Sequence, residues 1–175
     1  MTASPRQVER RPDPSEYRRA VGRYATGVTV VTTAVDGEQH AMTANSFTSV
    51  SLDPVLVLFC PEKAARFHDF VLRAGTWAVS VLSEGQQEVS QRFAVRGRAL
   101  EDQFSGVPHT VGPLTGAALL DGALAAFECR TVSLVDAGDH TVVVGEVLGL
   151  TLPDPAAHPL LYFEGAYRAF RPVDD

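Results

Sequence analysis

A polar stretch set between two apolar strands limits what this chain can fold into more than any other feature. Ala41–Pro54 reads AMTANSFTSVSLDP and packs six hydroxyl or amide side chains (Thr43, Asn45, Ser46, Thr48, Ser49, Ser51) into nine residues. Val28–Val35 precedes it and Val55–Cys60 follows, both long and apolar. A turn between strands needs only two to five residues, with Gly, Asn or Asp at set positions. Here the polar groups continue at strand-like spacing, so side chains and backbone N–H groups can line one wall of a groove. Hydroxyls and free N–H groups in that number suit a phosphate or the edge of a flat heteroaromatic ring. A solvated polar strand edge is the plainer alternative.

The rest of the chain reads mainly as strand. Ser15 is placed to cap a helix carrying Tyr17, Ala20, Val21, Tyr24 and Ala25 on one face, with Gly27 as its stop. Val28–Val35 is rich in β-branched residues, and Asp36-Gly37 predicts a tight hairpin into Glu38–Ser46. Val55–Cys60 is continuously apolar and predicts a strand buried on both faces. Glu62–Ala74 carries Phe67, Phe70, Val71 and Ala74 at helical spacing and ends at Gly75; Thr76–Leu82 returns to strand around the only tryptophan, Trp77. Ser83 and Gln86 make a capping-box pattern for a helix to about Ala94. Arg96–Asp121 predicts irregular structure with one short strand. Ala123–Val135 and Thr141–Leu152 predict two long strands joined at Ala137-Gly138-Asp139, and Leu160–Phe163 and Tyr167–Phe170 close the chain. About seven hairpin-linked strands with two or three peripheral helices do not alternate as a parallel sheet requires. A mainly β fold, a small closed or partly closed antiparallel barrel, follows. The Pro-rich, Arg-bearing residues 1–15 are expected to be a disordered tail, and 16–172 the single domain.

Composition removes several function classes. A net charge of −6 and a pI near 5.3 argue against nucleic acid as a partner. No apolar run is long enough to span a membrane and no signal sequence is recognisable, so a cytoplasmic location is expected. Cys60 and Cys129 lie in predicted strands, outside any CxxC pattern, and read as reduced core residues. Glycine-rich nucleotide loops and the nucleophile elbow are missing, and five scattered histidines have no metal-ligand spacing. The chain holds fourteen arginines and one lysine, Lys63. Lys63 and Arg66, read as the start of a helix, pair two cations with its positive end, which suits a phosphate.

Four segments, in order, resemble the flavin reductase family, the small NAD(P)H:flavin oxidoreductases of two-component flavin monooxygenases. They are Arg19–Thr33 (RAVGRYATGVTVVTT), Met42–Pro54 (MTANSFTSVSLDP), Ala137–Val147 (AGDHTVVVGEV) and Pro159–Tyr167 (PLLYFEGAY). The resemblance covers roughly residues 16–170 and implies an FMN-binding split barrel that forms a homodimer. It implies that Thr43, Ala44, Asn45, Ser46 and Phe47 contact the flavin, and that Ser49 and Val50 extend the same wall. For Phe47 and Val50, plain core packing is the alternative. Lys63 and Arg66, with Arg96 and Arg98 as weaker candidates, are expected at the phosphate or adenylate end. Many relatives carry a serine-rich phosphate loop where this chain has PEKAARF, which leaves FMN and FAD both open. His140 is expected beside nicotinamide and flavin as the catalytic candidate, with Gly165 and Tyr167 flanking the nicotinamide. The implied reaction is hydride transfer from NADH or NADPH to FMN or FAD, for a partner monooxygenase. Two other readings stand beside it: a permanently held flavin acting on an organic substrate, and a non-catalytic flavin- or haem-binding module.

Overall fold

The computed structural model describes residues 11–101, 103–153 and 157–171. The expected disordered segment 1–15 falls mostly outside these, as does residue 172 of the expected domain. The chain enters through helix α1 (Pro14–Val21). Asp13, and not Ser15, caps it, its carboxylate accepting the Ser15 backbone N–H at 3.1 Å, with Pro14 in the first turn. The helix ends at Gly22 instead of Gly27, because Thr26–Gly27 pairs as a short strand, β1, with a strand near the end of the chain.

Strands β2 (Thr29–Val35), β3 (Glu38–Ala44), β4 (Thr48–Leu52) and β5 (Val55–Phe59) follow. Asp36 and Gly37, with φ of 55° and 82°, form the β2–β3 turn that a DG pair favours. Helix α2 (Arg66–Ala74) buries Phe67 and Val71, and Gly75 stops it in the left-handed conformation at φ 66°. It starts four residues later than the periodicity predicts. Glu62–Ala65 forms a turn, with Ala65 N–H on the Glu62 carbonyl and Lys63 N–H on the Asp139 carbonyl.

After β6 (Thr76–Val81), Gln86 Oε1 accepts the Ser83 backbone N–H at 3.0 Å, as the capping pattern predicts, ahead of α3 (Gln87–Ala94). The 96–121 region holds two short paired strands where one is expected, β7 (His109–Val111) and β8 (Ala118–Leu120). The long strands β9 (Ala125–Ala137) and β10 (His140–Thr151) turn at Gly138-Asp139, and β11 (Leu160–Phe163) and β12 (Ala166–Ala169) finish the chain.

Every strand pairing is antiparallel. One seven-stranded sheet runs β3-β2-β6-β9-β10-β5-β4, and β1-β11-β12 form a second, three-stranded sheet. The two edges of the large sheet, β3 and β4, are consecutive in the chain and joined by residues 45–47. The polar stretch 41–54 therefore carries the connection between the two edges of the sheet. The main core lies between the sheet and α2, around Trp77, Phe59, Phe67 and Val71. Trp77 is fully buried, meets Phe59 edge-on at 4.8 Å and donates from Nε1 to Thr131 Oγ1 at 3.1 Å. A second cluster, with Val30, Leu82, Phe93 and Leu160, fills the space under α3. Val55–Phe59 is not buried on both faces in the single chain: Val57 and Phe59 face the core, and Leu56 and Leu58 are half-exposed.

Candidate functional site

A groove of about 1010 Å³ lies between β3, the segment after β5, the segment after α3 and the β9–β10 turn. Pro14, Tyr17 and Arg18 of α1 stand at its wall. Of the residues singled out from sequence, the groove gathers eight: Thr43, Ala44, Asn45, Ser46, Arg66, Arg96, Arg98 and His140. These come from four separate stretches, so the fold brings together what the sequence keeps nearly one hundred residues apart.

The Thr43–Ser46 wall is pinned from behind. Thr43 Oγ1 donates to the Ser90 carbonyl at 2.6 Å, and Thr29 Oγ1 donates to the Ala44 carbonyl at 2.7 Å. Ser46 Oγ accepts the Cys60 backbone N–H at 3.0 Å. Asn45 is exposed and keeps its amide for a ligand. Asn45 and Ser46 also line a second cavity of about 520 Å³, bounded on its other side by Tyr24–Gly27. Phe47 belongs to that second cavity and packs on Phe127 at 5.6 Å, so its side chain is partly core.

The electrostatics set the groove apart from the rest of the chain. A molecule of net charge −6 lines this one cleft with four arginines (18, 66, 96, 98) against two carboxylates, Glu62 and Asp139. Arg96 pairs with Glu62. Among the described residues, Arg66 and Arg98 have no carboxylate partner. Arg98 instead donates to the carbonyls of Phe93 (3.0 Å) and Ala41 and to Gln103 Oε1 (3.0 Å). Burial and the nearby Arg66 charge push its guanidinium below the usual value. Arg66 Nη2 donates to the Arg98 carbonyl, so the two arginines are neighbours.

Two buried polar atoms at this groove have no hydrogen-bond partner among the described residues, His40 Nδ1 and Arg98 Nε. His40 is 4% exposed and stacks on Phe70 at 3.6 Å, and burial lowers its pKa. Unpartnered buried atoms of this kind are rare in folded proteins and call for an explanation. At the other end, His140 Nδ1 lies 2.7 Å from Asp139 Oδ1. A carboxylate only accepts, which assigns the proton to Nδ1 and leaves Nε2 for a ligand. That bond is the main reason the Asp139 carboxyl is held below its usual range.

Besides Phe47, five candidates lie outside the groove. Lys63 is not at a helix start: its Nζ donates to Asp136 Oδ2 at 2.8 Å and to the Gly138 carbonyl at 2.7 Å, tying the β9–β10 turn to the segment before α2. Ser49 and Val50 are exposed on the edge strand β4, Val50 by 46%. Gly165 shapes the β11–β12 turn at φ 76°. Tyr167 stands behind the wall, its hydroxyl 2.8 Å from Ser90 Oγ, the residue whose carbonyl holds Thr43. Sequence reasoning missed Glu62 and His40, whose partners Arg96 and Phe70 lie some thirty residues away and leave no local pattern.

Residues 21–171 match the model of the flavin reductase like domain. The chain is 42% identical over 159 residues to the "FMN reductase (NADH) SmoA" of Agrobacterium fabrum, covering 88% of this chain and 84% of that one. It is 39% identical over 160 residues to the "Flavin-dependent monooxygenase, reductase subunit HsaB" of Rhodococcus jostii, covering 91% and 80%. The solved structure of the NADH:FAD oxidoreductase SgcE6 of Streptomyces globisporus C-1027, in complex with NAD and FAD fragments, superposes with a TM-score of 0.87 at 44% identity, covering 93% and 96%. Among the described residues no helix is long and apolar enough to cross a membrane.

Proposed function

The chain belongs to the flavin reductase like family, and we propose that its groove is the place where NADH reduces a flavin that then leaves for a partner monooxygenase. The relatives are NADH-dependent FMN and FAD reductases and the reductase subunit of a flavin-dependent monooxygenase. The single observation that carries the reading at the level of this molecule is the charge of the groove. Two neighbouring arginines without a carboxylate partner among the described residues, in an acidic protein, suit an anionic ligand such as a flavin phosphate.

The residues fit such a ligand. Arg66 and Arg98 would hold its phosphate end, and the unpartnered Arg98 Nε and His40 Nδ1 mark hydrogen bonds waiting for polar atoms there. Asn45 offers both a donor and an acceptor to a heterocycle edge, and the backbone of Thr43–Ser46 supplies the flat wall. When bound, the nicotinamide supplies the hydride and the flavin accepts it. His140, held by Asp139 in the Nδ1–H form, presents Nε2 as an acceptor for a carboxamide N–H, which orients the donor ring. Positioning and exclusion of water carry the rate, because hydride transfer needs no strong acid or base from the protein.

A homodimer agrees with the open side of the sheet. Val135 of β9 is about half exposed and, paired with Val142 of β10, lies on the same sheet face as the half-buried Leu56 and Leu58 of β5, which pair with β10 on its other side. A second copy of the chain would bury this face and give β5 the double burial that its continuous apolar sequence predicts. Both cysteines are free, which fits a reducing, cytoplasmic setting.

The test is anaerobic mixing of the protein with excess FMN or FAD and NADH or NADPH, following loss of oxidised-flavin absorbance. Bleaching over many turnovers is the expected result. Bleaching of co-purified flavin alone would instead make the flavin a permanent group, and none with either nicotinamide would overturn the assignment.

A further inference from the structure

The arginines of the groove are not equivalent. Arg66 and Arg98 have no carboxylate partner among the described residues, whereas Arg96 is held by Glu62. Glu62 sits in the turn between β5 and α2, and Arg96 in the segment after α3, so the pair joins two walls of the groove. The Glu62 side chain is 27% exposed and that of Arg96 is 81% exposed. The backbone of Glu62 bridges to His140, which places this carboxylate where the arginine-lined end meets the nicotinamide end.

A carboxylate beside a phosphate site is an unfavourable neighbour unless its charge has a use. It repels the ligand, and it occupies an arginine the ligand would otherwise meet free. Resting on the reading above, we propose that Glu62 is a phosphate-competitive gate: it holds Arg96 until the anionic group of a phosphorylated flavin takes its place. The exchange swaps one anionic acceptor for another, so its net strength is small. A phosphate, with up to two charges and three acceptor oxygens, wins it, and a flavin without phosphate does not enter it. Glu62 competes for Arg96 in either redox state of the flavin, which keeps the affinity moderate and lets the reduced flavin leave. Glu62 thereby tempers the preference for phosphorylated over unphosphorylated flavins without touching the ring.

The experiment measures Kd for FMN and for riboflavin by flavin fluorescence, with wild type, Glu62→Gln, Arg96→Gln and the double variant. Breaking an exposed ion pair frees Arg96, so Glu62→Gln should tighten FMN by roughly threefold and leave riboflavin within error. Arg96→Gln should weaken FMN, and adding Glu62→Gln to it should recover part of that loss by removing a bare carboxylate. A Glu62→Gln change equal for FMN and riboflavin, or weaker FMN binding, overturns the gate. Because the readout is binding, it stands apart from the turnover test: a protein that bleaches no flavin can still show the FMN-selective shift, and one that bleaches flavin can lack it.

Discussion

The core around Trp77 and the groove around Arg98 are both lined by buried polar groups, and they treat those groups in opposite ways. In the core each one is answered. Trp77 Nε1 has Thr131, and Ser80 Oγ takes the Leu120 N–H at 3.0 Å. The buried Glu128 carboxylate collects the backbone N–H groups of Leu114 and Thr115 at 2.8 Å and the Thr115 hydroxyl at 2.9 Å. Packing there has no slack either, since a Cβ on Gly145 would collide with the Trp77 indole. In the groove, Arg98 Nε and His40 Nδ1 stay unanswered among the described residues, and Arg66 and Arg98 have no carboxylate partner there. A satisfied polar group stabilises the fold, whereas an unsatisfied one next to a cavity holds binding capacity in reserve.

Four variants would break or sharpen that contrast. Trp77→Ala should cost about 3–5 kcal/mol in urea unfolding, while the protein that remains folded still binds FMN. Arg66→Met should move the unfolding midpoint far less, since Arg66 is exposed, but weaken FMN by roughly ten- to a hundredfold in a fluorescence titration, the worth of a charge-assisted hydrogen bond. Equal stability losses in these two variants would erase the distinction between core and groove. Within the groove, His140→Ala should lower kcat/KM for NADH by roughly two- to tenfold and leave the FMN Kd nearly unchanged, because one hydrogen bond to the nicotinamide is removed. Loss of FMN binding in that variant would show that His140 serves the flavin instead.

The smallest effect concerns acid. Burial holds the His40 pKa below its ordinary 6.5, so the unfolded chain binds a proton that the folded chain refuses. Stability from this residue is complete above about pH 6.5 and declines as the pH falls from there toward the folded-state pKa. His40→Leu should flatten that part of the Tm-against-pH curve. Parallel curves for variant and wild type would mean that His40 is not refused its proton.

Much of this was legible wherever the signal is local. The DG turn, the capping box at Ser83 and the Gly75 stop each act within a few residues, and all three stand as read. The four stretches that form the groove are also named, the 43–46 wall and Arg66 by residue type and Arg96, Arg98 and His140 through the family resemblance. Reading failed where distant chain decides. Residues 62–65 have helical spacing, but the Asp139 carbonyl takes the Lys63 N–H and holds them in a turn. The α1 boundary differs because Asp13-Pro14 outranks Ser15 as a start and β1 claims Thr26–Gly27. His40 and Glu62 were invisible, for a single histidine and a single glutamate show their partners only after folding.

Lys63 has a practical consequence. It is the chain's single side-chain amine of its kind, and its ion pair with Asp136 fastens the turn that carries His140 to the approach of α2. Amine-directed reagents therefore have one internal address on this protein, 36% exposed and clasped in the resting fold. A fluorophore attached there would act as a gauge of that joint, and its protection from labelling would report when the clasp opens.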